Sequence, residues 1–109
     1  MEALKKLHNH RRVLLPQIRG LEVKGMDRLS QEELDRLNHL QRIFDQTSQK
    51  IADAELEYIE RTYGKEKLVL WMERASLRQK PFLVGSEVGQ RVKYLDEHLK
   101  DIIDLLGAI

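Results

Sequence analysis

The sequence predicts an all-α fold of three to four helices, with two long heptad-bearing helices packed as an antiparallel hairpin or bundle. Three observations carry that prediction. Charged residues make up 34% of the chain and apolar residues 41%, with only 2 Pro and 6 Gly, a composition typical of long helices. Apolar residues recur at spacings of three and four in two separate stretches. A helix-capping signature opens the first of them. At 109 residues the chain suffices for one modest core. A single helical domain over 1–109 is therefore expected, with a basic helix and connector over 1–29 and a helical bundle over 30–109.

The first element is predicted from about Glu2 to Leu15, with Leu4, Leu7 and Leu14 on one side. Pro16 should end or kink it, because its ring clashes with the preceding turn and it has no N–H to donate. Residues 16–29 contain Gly20 and Gly25 and read as an irregular connector with a short helical turn.

The segment "SQEELDRL" gives the clearest local signal. Ser30 followed by Glu33 is a capping box, and Glu32 and Asp35 add favourable charge to the first turn. From there Leu37, Leu40, Phe44, Thr47, Ile51, Ala54 and Tyr58 form a heptad stripe. A helix from about 31 to 63 is expected, roughly 50 Å long at 1.5 Å per residue. Gly64 then favours a tight turn with a new helix starting near Lys65. A single bent helix over 31–79 is the alternative, since the register continues through Leu68, Met72 and Ala75.

"KLVLWMERASL" is apolar on more than one side, which predicts a helix covered by its neighbours. In the joint "RQKPFLVGSEVGQRVKYL", Phe82, Leu83 and Val84 read as an apolar plug closing one end of the bundle. The last helix should start near Ser86 and run to about Leu106. Its stripe of Val88, Val92, Leu95, Leu99, Ile102 and Leu106 extends to Ile109, and these seven residues are the expected seam for self-association or a partner.

The formal net charge of +1 conceals blocks of alternating sign: +4 over 1–29, −4 over 30–63, +4 over 64–93 and −3 over 94–109. Such blocks suit helices packing flank to flank, whereas a nucleic-acid binder more often carries an overall basic excess. With no Cys, disulfides and thiolate metal sites are excluded, and a reducing, cytoplasmic setting is expected. No apolar run approaches the length of a membrane span, and the basic amino end lacks the apolar core of a secretory signal. Membrane association is not expected.

The joint and the residues after it also fit a helix-turn-helix, with Arg78, Lys80, Gln90, Arg91 and Lys93 as nucleic-acid contacts. Three features weigh against it. The joint from Lys80 to Gly85 is long and apolar, the following helix is about 20 residues with a heptad seam, and its second half is acidic through Asp96, Glu97, Asp101 and Asp104. His8 and His10 lie too far round a helix to share an ion. His39 with Asp35 has no second pair to complete a site. No nucleophile elbow, triad order or phosphate loop is present. Neither a catalytic residue nor a metal or other cofactor is expected.

The expected function is thus a non-enzymatic protein–protein interaction module, as an adaptor, chaperone-like or assembly subunit. It acts through a helical face and self-associates, most simply as a dimer. Trp71 and Phe82 are the candidate partner anchors, since buried aromatics dominate interface energies; a core or bundle-edge aromatic is the ordinary reading of Trp71. The alternative is a small dimeric nucleic-acid-binding regulator using the 65–95 region.

Overall fold

The computed structural model describes residues 2–109. The chain is all-helical, with five α-helices, one 3₁₀ turn and no strand among the described residues. In order these are α1 (Glu2–Glu22), the 3₁₀ turn (Met26–Arg28), α2 (Gln31–Tyr63), α3 (Lys65–Leu77), α4 (Glu87–His98) and α5 (Lys100–Gly107). They form two compact units, one ending at Ala54 and one spanning Glu55–Ile109, with the division inside α2.

In the first unit α1 does not stop at Pro16. It runs on to Glu22, and residues expected to be connector are helix. Pro16 lies on the exposed side, so the lost hydrogen bond faces solvent. Leu14, Ile18 and Leu21 on the opposite side are buried with Leu37 and Leu40 of α2, while Leu29, Ile43 and Phe44 pack around them. Apolar burial on both sides of the proline offsets its local penalty. Contacts set the two helices in opposite directions. Arg11 lies over the Phe44 ring, 6.0 Å from its centroid, and Glu22 accepts from Gln41 at 3.4 Å.

The start of α2 is fixed by the capping box. The Glu33 N–H donates to Ser30 Oγ at 3.2 Å, and the Ser30 N–H donates to Glu33 Oε1 at 3.2 Å. Lys24 pairs with the same carboxylate. That pairing first, and the Ser30 hydrogen bonds second, hold the Glu33 carboxyl below its usual range. Farther along, Thr47 is buried, and its hydroxyl is satisfied by donating to the Ile43 carbonyl at 2.8 Å.

In the second unit Ile59, not the striped Tyr58, is the fully buried residue of α2. A straight helix drifts about 20° per heptad against a strict seven-residue repeat, so the buried position moves on by one residue. Gly64 ends α2 at φ 92°, ψ 171°, and α3 begins at Lys65. The turn expected there is present, and the single bent helix over 31–79 is not.

The expected last helix is two. α4 ends at His98, Leu99 leaves helical geometry at φ −109°, ψ 13°, and α5 follows. Helical bonds on both sides survive: the Leu99 N–H reaches Leu95 O at 2.8 Å and the Ile103 N–H reaches Leu99 O at 2.9 Å. Ser86 caps α4, accepting from the Gly89 N–H at 3.1 Å. Val92, Leu95, Leu99, Ile102 and Leu106 are all buried.

Candidate interaction surface

The surfaces of the second unit are set by how α3 meets α4. Their junction is polar and charged. Arg74 Nε donates to Asp96 Oδ1 at 2.6 Å, Arg91 donates to both Glu73 oxygens at 2.6 and 2.8 Å, and Lys67 Nζ donates to the His98 carbonyl at 3.0 Å. The hydrogen bonds and charge of Arg91 hold the Glu73 carboxyl below its usual range, and Glu73 raises Arg91 in turn.

Beside these polar contacts Leu68, Leu70, Trp71 and Leu77 of α3 are half-buried. None of its side chains is fully buried, contrary to the covered helix expected from its composition. Val69 is 63% exposed and Met72 50% exposed, three residues apart on one face. Trp71 is half-buried beneath the Arg74 guanidinium, 5.3 Å from the ring centroid, so it is shared between the chain's own packing and the surface.

The joint after α3 also differs from expectation. Phe82 is half-buried, but Leu83 and Val84 stand 81% and 86% exposed and plug nothing. Their backbone is nevertheless held firmly. The Ser86 N–H and hydroxyl both donate to the Leu83 carbonyl, at 3.0 and 2.6 Å. Gly89 lies against the same turn, where any Cβ would run into the carbonyl oxygens of Leu83 and Val84.

Of the expected seam, Val92, Leu95, Leu99, Ile102 and Leu106 are buried within this single chain. Only Val88, 39% exposed, and the half-buried Ile109 keep apolar surface at its two ends. Most of the seam is interior, and exposed apolar side chains stand on α3 (Val69, Met72), in the joint (Leu83, Val84), on α4 (Val88, Tyr94) and in the first unit (Val13, Val23, Met26). Sequence periodicity marks a stripe that must be covered; it carries no record of what covers it.

The residues proposed for nucleic acid are exposed but partly engaged. Arg91 is clamped by Glu73, Arg78 lies 3.8 Å from Asp96, and the Gln90 amide donates to the Gly85 carbonyl at 3.4 Å. Lys80 and Lys93 have no ion-pair partner among the described residues. Sequence reading missed a stacked ladder on α4. Arg91 lies 4.9 Å from the Tyr94 ring centroid, and Tyr94 stacks on His98 at 3.9 Å. Their spacing of three and four residues was the available signal.

Among the described residues no group of three or more His, Cys, Asp or Glu side chains is placed to hold a metal ion, and no helix is long and apolar enough to cross a membrane. The chain matches no protein-family model. Comparison with curated proteins and with solved structures gives no match either.

Proposed function

We propose that this chain is a non-enzymatic protein–protein interaction module that works in the cytoplasm, self-associates, and presents α3 to another protein. One observation supports the α3 assignment above the others. A helix this apolar contributes no fully buried residue and leaves Val69 and Met72 on its open face. Burying two such side chains stabilises a complex by about 1.5–3 kcal/mol each before ordering costs are subtracted. The packing of the long helices into a bundle belongs to the same reading.

A photo-cross-linking residue at Met72, with a control at exposed Lys50, tests it in cells. A discrete protein adduct from position 72, absent from position 50 and lost on Val69→Asp, supports the reading. Equal labelling from both positions, or none, overturns it. Salt-sensitive capture of a nucleic-acid duplex by the purified chain would favour the regulator instead.

A further inference from the structure

We infer that Lys67 of α3 is a latch that holds the break between α4 and α5: its ammonium occupies a carbonyl that a continuous helix over 87–107 would use for itself. The device is separate from the proposed partner face and from self-association.

At the break the helical ladder stops and then resumes. The Leu99 N–H still reaches the Leu95 carbonyl at 2.8 Å, and the Ile103 N–H the Leu99 carbonyl at 2.9 Å. Between them, among the described residues, the Lys100, Asp101 and Ile102 N–H groups reach no backbone carbonyl. In a continuous helix the Ile102 N–H would donate to the His98 carbonyl, four residues back. That carbonyl accepts instead from Lys67 Nζ at 3.0 Å.

Nothing in the local sequence asks for a break here. Sharp kinks in helices arise at Pro, at Gly or Ser pairs, at π-bulges, or where a side chain enters the backbone ladder. Residues 95–106 contain no Pro, Gly or Ser, and the bond that resumes the ladder, Ile103 to Leu99, is the ordinary four-residue one. An entering side chain is what remains, and Lys67 is one. The apolar stripe does not need the break either. Leu95, Leu99, Ile102 and Leu106 keep spacings of three and four across it, and all are buried. A continuous helix would turn the same side to the core and regain the bonds that Lys100, Asp101 and Ile102 now lack.

Tertiary contacts deliver Lys67 to that carbonyl. Arg74 with Asp96 and Arg91 with Glu73 tie α3 alongside α4. Lys67 stands about two helical turns before Arg74 and so on the same side of α3. An ammonium donating to a carbonyl makes a charge-assisted bond, stronger than the amide bond it displaces. The contact lies at the surface. A carboxylate from outside can therefore draw the ammonium away and let the ladder close, which makes the direction of α5 a property that a bound group can change.

Scalar couplings across hydrogen bonds, measured by NMR, test the latch directly. In the native chain a coupling between Lys67 Nζ and the His98 carbonyl carbon should be present, and one between the Ile102 amide nitrogen and the same carbon absent. Lys67→Met keeps much of the side chain's length and loses its donors. It should bring up the Ile102 coupling and slow hydrogen exchange at Ile102 about tenfold or more. Lys67→Arg retains donors and should keep the break. Lys93→Met removes an equal charge from an exposed position on α4 and should keep it too. An Ile102 to His98 coupling in the native chain, or no coupling from Lys67 Nζ, would overturn the inference. So would closure of the ladder in Lys67→Arg or Lys93→Met. A break that persists in Lys67→Met would also overturn it, and would assign the bend to the packing of Leu95, Leu99 and Ile102.

Discussion

Arg91 grips Glu73 with two parallel hydrogen bonds, Nε to Oε2 at 2.6 Å and Nη2 to Oε1 at 2.8 Å, joining α4 to α3 across 18 positions of sequence. This fork-to-fork geometry is the strongest form of exposed ion pair. It also engages the guanidinium that a nucleic-acid contact would need.

The pair has a pH signature. The Glu73 carboxyl is lowered by Arg91, so its contribution is present above the unfolded carboxylate's titration range and is lost as pH falls through the folded value. Arg91 is raised, so its side of the linkage is lost only at strongly alkaline pH. Thermal melting of the native chain and Glu73→Gln should therefore differ at neutral pH and converge in acid. A gap that persists in acid would assign the difference to packing.

The capping box at Ser30 and Glu33 should matter to the first unit. Ser30→Ala removes the acceptor for the Glu33 N–H, an expected loss of about 1 kcal/mol in denaturant unfolding. Lys24→Gln should let the Glu33 carboxyl titrate closer to its ordinary range, which carbon-detected NMR can follow.

These local signals were the most legible part of the sequence, because Ser30, Glu33 and Ser86 act within one turn of themselves. The all-helical class, the turn at Gly64 and the start of α3 were legible for the same reason. Pro16 was not, since its penalty depends on whether it faces solvent. The break at Leu99 carries no Gly or Pro to announce it. Reading α3 as covered and Leu83 and Val84 as a plug failed in one way. Hydropathy states what a side chain prefers, and exposure is decided by what tertiary packing leaves over. The stripe from Val92 to Leu106 was found correctly as a stripe; its burial by this chain itself is a tertiary fact.

Gly89 offers a test of how tightly the joint is set. Gly89→Ala drives a methyl into the backbone of Leu83 and Val84, which can yield only by moving the whole turn. A loss of about 1–3 kcal/mol is expected, with faster hydrogen exchange at Ser86. Unchanged exchange there would mean that the turn relaxes freely.

The interior of the second unit should be unforgiving. Leu95→Ala empties a fully buried site and should lose about 2–5 kcal/mol. Leu99→Asp buries a lone charge and should prevent folding of that unit. Lys100→Asp, one residue on but exposed, should stay within about 0.5 kcal/mol. Denaturant titration with a probe in the second unit reads all three.

Gly64 has open space where a side chain would stand, so nothing but handedness keeps one out. Its φ of 92° and ψ of 171° are unfavourable for an L-residue, yet their mirror image is ordinary extended chain. A D-alanine placed there by chemical ligation would meet no clash and no torsional strain. By narrowing the unfolded ensemble, it should raise stability where L-alanine lowers it. The junction between α2 and α3 is therefore a chiral filter in the chain, one that the twenty genetically encoded residues can pass only through glycine.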